Sequence, residues 1–219
     1  MQQPRVHDYD LGTYDFPAVV AAALAVPDLQ QVHRGIDVPR LVRETDQATP
    51  VHAAFYRTFD RVEPLYRRFV ADVVRAVVPE RFCFQRVPTL RVHLPGNVAV
   101  GEFHRDSQYS HPDGEVNFWL PLTPAWGSNS VWLEAPGEPA RPVALRPGQV
   151  LVFDAVNTRH GNVVNETGVT RVSFDFRVLP LSRYRPTRAR TVNTGLRLVI
   201  GEYFSLLDGD AAPAAGEPG

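Results

Sequence analysis

Lysine is absent from these 219 residues, and all 23 basic side chains are arginine. That excludes Schiff-base chemistry on an internal amine and the phosphate-gripping lysine of a P-loop. Cysteine occurs once, as Cys83 in the apolar run RFCF. An internal disulfide, a CxxC redox pair and an all-cysteine metal or iron–sulfur site are therefore excluded, and Cys83 reads as a small core residue. Neither sign of charge is in excess: the formal net charge is -1. Nothing electrostatic points to nucleic acid or an acidic membrane surface as partner. No apolar run approaches the roughly 18 residues of a membrane span. MQQPRVHDYD lacks the basic-then-apolar layout of a signal peptide, so a cytoplasmic location is the default expectation.

What is present divides the chain by texture. AVVAAALAV (18–26) predicts a short helix ended by Pro27 and Asp28. Phe55, Phe59, Val62, Tyr66, Phe69, Val73 and Val77 recur at helical spacing between residues 51 and 78, with Pro64 expected to kink or split that helix. Beyond Pro79 come eight short segments of strand character: 89–94, 98–104, 116–122, 130–135, 140–145, 149–154, 159–164 and 170–178. Their ten-residue rhythm, broken by Pro, Gly and Asn, predicts a β-sandwich, jelly roll or barrel. In VSFDFRV, Val172, Phe174 and Phe176 face one way and Ser173, Asp175 and Arg177 the other. One domain over 1–205 is expected, with a helical layer (1–80), a β core (84–180) and a C-terminal segment (181–205). The small, Pro/Gly-rich tail 206–219 is expected to be disordered.

The chemistry concentrates in EFHRDSQYSHPDGEVNFW (102–119). His104 and Asp106 are two residues apart at a predicted strand end, and in an extended chain such residues project to one side. The pair aims an imidazole and a carboxylate at one point. His160, in NTRHGNVVN, is the best third ligand. Two histidines and a carboxylate on one face of a metal leave three positions open, the pattern of non-haem Fe(II) sites. His111 competes as a ligand, but its place in a PDG turn suits a loop over the site better. Arg171, followed by Ser173 on the same strand face, offers a guanidinium and a hydroxyl to hold a distal carboxylate away from water. Arg177 shares that face and is expected to reach substrate. Gln108, Tyr109 and His111 are expected to form a substrate-touching rim. Trp119 and Trp132 read as core, while Arg91 and His93 share another strand face.

HxD, then H, then RxS in that order resembles the Fe(II)/2-oxoglutarate-dependent oxygenase superfamily over roughly residues 85–180. EFHRDSQYSHPDGEVNFWLPLT is similar to small oxygenases of actinomycete antibiotic pathways, including streptomycin-type aminocyclitol biosynthesis. The resemblance implies a double-stranded β-helix (jelly roll, cupin-like), mainly β with flanking helices. It implies Fe(II), 2-oxoglutarate and O2 as cofactors, with His104, Asp106 and His160 on iron. Arg171 and Ser173 would hold the oxoglutarate C5 carboxylate, and Asn117 its C1 carboxylate. Oxidation of an unactivated C–H bond of a small molecule is the implied activity, and retention of Asp106 speaks against a halogenase. A cupin-type enzyme without oxoglutarate and a non-catalytic β-sandwich remain the alternatives.

Overall fold

The computed structural model describes residues 3–36, 38–42, 45–100, 102–192 and 194–209. Residues 210–219, most of the expected tail, and Gly101, inside the expected 98–104 strand, lie outside them. The described chain is mostly β with a few short helices, and no helix is long and apolar enough to cross a membrane.

Three helices form one layer. α1 (Phe16–Leu24) starts at Asp15, whose carboxylate accepts from the Ala18 N–H, and ends at Ala25 in the left-handed region. It begins two residues before the expected segment, because the cap and Pro17 set its start. The long helical pattern does split at Pro64. α2 (Pro50–Arg57) is followed by a 3₁₀ turn, and α3 (Glu63–Phe69) carries Pro64 in its first turn. After Phe69 the chain winds as a π-turn over Val70–Val74. The wider turn rotates the apolar stripe: Val70 and Val74 are buried, while the expected Val73 and Val77 are only partly so.

The described residues hold ten strands in two antiparallel sheets, the first of them preceding the helices. β1 (Arg5–Asp8), β2 (Phe82–Gln85), β3 (Thr89–His93), β4 (Val116–Pro121), β5 (Trp132–Leu133), β6 (Arg141–Pro142), β7 (Gln149–Phe153), β8 (His160–Gly161), β9 (Arg171–Pro180) and β10 (Phe204–Leu206) are the elements. The larger sheet runs β1-β7-β4-β9-β2-β10, with β3 also paired to β9; the smaller runs β6-β5-β8. Among the described residues of 98–104 no strand forms: only His104 pairs, in an isolated bridge to His160. β1, β2 and β10 have no counterpart in the sequence reading; FCFQ is buried on both faces and so shows no alternation. β10 reaches Leu206 and Leu207 is buried, so ordered packing passes residue 205.

β9 is the hinge of the layout. Val172, Phe174, Phe176 and Val178 pack toward the helices, where Phe174 meets Phe16 and Phe55, and Phe176 meets Tyr66 and Phe69. Each such fully buried aromatic contributes roughly 1.5–3 kcal/mol. The opposite face of the same strand carries Arg171, Ser173, Asp175 and Arg177, all buried. A strand with phenylalanines on one side and charges on the other needs something polar to face.

Candidate metal centre

Two strands of backbone bring the first three residues together. His104 and His160 exchange N–H to carbonyl bonds in both directions, each 2.9 Å, and the Asp106 N–H donates to the Ala155 carbonyl. Arg105 between them is extended, so His104 and Asp106 do project to one side. Gly161 follows His160 because nothing larger fits: a Cβ there would lie 2.7 Å from the Phe103 ring and 2.9 Å from its Cα.

Each imidazole is held in one tautomer. His104 Nδ1–H donates to its own Glu102 carbonyl and His160 Nδ1–H to Thr158, both at 3.0 Å. A carbonyl only accepts, so each neutral ring turns an unprotonated Nε2 inward. Those Nε2 atoms lie 3.4 and 3.7 Å from Asp106 Oδ1, and one ligand atom of each of the three residues falls within 4.8 Å of the others. Asp106 is 1% exposed, and Oδ1 has no hydrogen-bond partner. A bare, buried carboxylate oxygen between two nitrogen lone pairs is costly unless a cation fills it. The donor set of two imidazoles and one carboxylate fits a divalent transition metal.

The charges around it are ordered. Burial alone raises the Asp106 carboxyl, but the Arg177 guanidinium holds it well below the usual carboxylate range. Burial pushes His160 down to about 4. Arg177 binds Asp106 Oδ2 and Asp175 Oδ1. Asp175 Oδ2 in turn accepts from Arg91 Nε, whose NH1 reaches Asp46.

Arg171 is the other buried cation, 1% exposed. Its Nε donates to the Asn129 carbonyl, its NH1 to Ser173 Oγ at 2.7 Å, and its NH2 lies 3.5 Å from His93 Nδ1. The guanidinium carbon lies 5.5 Å from the Trp119 ring centroid. No carboxylate among the described residues pairs with it, and burial pushes it down to about 9, still charged at neutral pH. A desolvated guanidinium with only neutral partners is a receptor for an anion.

Two cavities meet at these residues. A large one of about 570 Å³ is lined by His104, Asp106, Tyr109 and His111, by Tyr56 and Phe59 from the helical layer, and by Leu196 and Tyr203 from the C-terminal segment. A narrow void of about 20 Å³ is lined by His160, Asn117, Trp119 and Arg171. His104, Arg91 and Arg177 border both. The void has room for little more than a water, so a five-carbon diacid enters it only as the lining side chains part.

The sequence-predicted residues thus divide. His104, Asp106 and His160 converge; Arg171, Ser173 and Asn117 gather beside them, with Asn117 Oδ1 buried and without a partner. Tyr109 and His111 line the large cavity, Tyr109 donating to Glu102 and His111 to the buried Glu115. Gln108 does not line it: the side chain is exposed and its Oε1 caps the Arg105 N–H. Arg177 borders the cavity, but its nitrogens are taken by Asp106, Asp175 and Gln85 rather than left for substrate. The reading of 102–180 missed Asp175 and Arg91 as a charge ladder. The signal was there: RxSxDxR places alternating charges on one strand face. Asn129 acts through its backbone carbonyl, for which sequence carries no signal.

No family model matches the chain. It is 42% identical over 200 residues to the streptomycin biosynthesis protein StrG of Streptomyces griseus, covering 90% of this chain and 94% of that protein. Among solved structures it resembles the non-heme alpha-ketoglutarate-dependent epimerase SnoN from nogalamycin biosynthesis, with a TM-score of 0.56, 18% identity and 93% of each chain covered. It also resembles EctD from S. alaskensis with bound Fe, with a TM-score of 0.53, 16% identity and coverage of 99% of this chain and 83% of that one. The chain has the fold of these structures and belongs to the family of the Streptomyces griseus streptomycin biosynthesis protein StrG.

Proposed function

We propose that the protein is an Fe(II)/2-oxoglutarate-dependent oxygenase acting on a small molecule of secondary metabolism, within one catalytic domain whose packing runs through Leu207. The two sheets are then the halves of a double-stranded β-helix. The observation that carries the reading is the bare Asp106 Oδ1, buried between the inward Nε2 atoms of His104 and His160. Fe(II) bound there with 2-oxoglutarate and O2 supplies an oxidant able to cleave an unactivated C–H bond, with succinate and CO2 as co-products.

The remaining residues bind, orient and exclude water. Arg171 and Ser173 present a guanidinium and a hydroxyl to the distal carboxylate of 2-oxoglutarate, with Trp119 beneath and no carboxylate among the described residues paired with the guanidinium. Asn117, unpartnered in the same void, donates its amide N–H to the carboxylate nearer the metal. The large cavity is of the size that encloses a small-molecule substrate. Tyr109 and His111 lie on its wall beside His104, where they contact the substrate and keep its reacting carbon next to the metal. Hydroxylation is the expected outcome, although SnoN, which shares this fold, is an epimerase.

The test is anaerobic absorption spectroscopy. Fe(II) and 2-oxoglutarate together should give a weak charge-transfer band that neither gives alone, and air should then yield succinate. His104→Ala should lose both. A wild-type protein with no such band, or one releasing no succinate in air, sinks the reading.

A further inference from the structure

The geometry points to Arg177 as a positioning residue that makes Asp106 a one-oxygen ligand; the inference rests on the proposed metal site. Arg177 Nε donates to Asp106 Oδ2 at 2.9 Å and NH2 lies 2.9 Å from the same oxygen, while Oδ1 receives no hydrogen bond and faces His104 and His160. A carboxylate can hold a metal through one oxygen or both. With two imidazoles, one-oxygen binding leaves three of six positions open, enough for a two-point oxoglutarate chelate and for O2. Two-oxygen binding leaves two, and O2 has no place.

The guanidinium decides between these. For Oδ2 to turn to the metal, a charge-assisted hydrogen bond and a close ion pair must break and a divalent cation must approach a buried positive charge. Arg177 cannot swing aside to permit it. NH1 is held by Asp175 Oδ1 at 3.0 Å and faces Gln85 Oε1 at 3.5 Å. Asp175 is fixed by Arg91 at 2.7 Å, and Arg91 by Asp46 at 3.2 Å. β9 is paired to β3, β4 and β2 along its length, so the strand that carries Arg171 and Ser173 also sets Arg177 in register with them. One rigid strand therefore fixes both the cosubstrate clamp and the mode of ligation. A residue expected from sequence to touch substrate acts instead through the carboxylate.

Anaerobic crystals of the full chain soaked with Mn(II) give the first test. Mn(II) on His104, His160 and a single Asp106 oxygen, with the other oxygen still on Arg177, is the expected result. Mn(II) on the same residues but held by both oxygens overturns the inference and leaves the proposed function standing. Absence of Mn(II) from these residues overturns both. The second test uses Arg177→Gln and Arg177→Lys, saturated with Fe(II) and 2-oxoglutarate, with nitric oxide as a probe of the last open position read by electron paramagnetic resonance. Nitric oxide affinity should fall roughly 10–100-fold in Arg177→Gln and less in Arg177→Lys, which keeps the charge. Wild-type affinity in the metal-saturated variants, whatever their melting temperature, shows a merely structural ion pair and overturns the inference. If Arg177→Gln does not fold, Arg177→Lys and the Mn(II) crystals decide.

Discussion

His104 and His160 bond to each other through their backbones in both directions, and their ring centroids lie 4.5 Å apart. A loop and a two-residue strand thereby become one rigid platform for two inward nitrogens. This bridge is the structural origin of the candidate site.

The bridge has a steric dependence at Gly161. Gly161→Ala places a methyl against Phe103 ring and backbone atoms, which costs roughly 1–3 kcal/mol. The strain is relieved by separating residue 103 from β8, and that separates the two histidines. We expect a melting temperature lower by several degrees and at least tenfold weaker Co(II) binding, measured by absorption titration. Unchanged Co(II) affinity in a destabilised protein breaks the link between bridge and site.

Arg171 should govern oxoglutarate and not metal. Arg171→Gln removes the buried charge facing the void, a change worth on the order of 2–5 kcal/mol of anion binding. The oxoglutarate concentration giving half the charge-transfer band should rise at least ~30-fold, while Fe(II) affinity in the absence of oxoglutarate stays near wild type. Ser173→Ala, which removes one neutral hydrogen bond, should cost nearer ~1 kcal/mol. Equal effects from both substitutions contradict the clamp.

Asp106→Asn separates catalysis from stability. Without its charge, Arg177 keeps only Asp175 as an acidic partner and the buried ladder is broken. Breaking a buried pair from one side costs about 3–5 kcal/mol, so the apoprotein should melt markedly lower. Succinate production should vanish even at temperatures where the variant is fully folded. Normal succinate release by the folded variant is the outcome that removes Asp106 from the site.

Acid should destabilise the apoprotein through two buried histidines. Burial pushes His52 down to about 4 and His93 down to about 3, against about 6.5 in the unfolded chain. Between those values the unfolded state binds protons that the native state refuses, so stability falls as pH drops below about 6.5. Each group contributes at most ~1.4 kcal/mol per pH unit. Melting temperature should therefore decline from pH 7 to pH 5, and the decline should be shallower in His52→Gln. Asp175, held low despite its burial by Arg91 and Arg177, adds its loss only below the unfolded carboxyl range. A melting temperature flat from pH 7 to pH 5 refutes the assignment.

How much of this was legible in the chain depends on the distance over which each feature is encoded. RVSFDFRV announces a strand with two opposed faces because side-chain direction alternates residue by residue, and β9 has that form. HRD announces two ligands on one side for the same local reason. The 98–104 strand failed because VAVGEFH looks strand-like only by composition: a single residue of it pairs, and Asn97 and Gly96 turn the chain before it. The 70–74 π-turn failed because one extra residue in a helical turn leaves no mark on composition, yet shifts every later side chain.

The sequence by itself determined the donor types, the alternation of β9 and what the protein lacks, since these follow from residue identity and the fixed geometry of neighbouring residues. Tertiary structure decided the distant partners. Arg171 and Arg177 are the same residue type on the same strand face, with Ser173 two residues from the first and Asp175 two residues from the second. Packing adds Trp119 and the Asn129 carbonyl beside the first, and the Asp106 carboxylate beside the second. The first has no carboxylate partner among the described residues, and the second spends its charge inside the protein. Which cation stays free is a property of packing, because only burial sets what each guanidinium can reach.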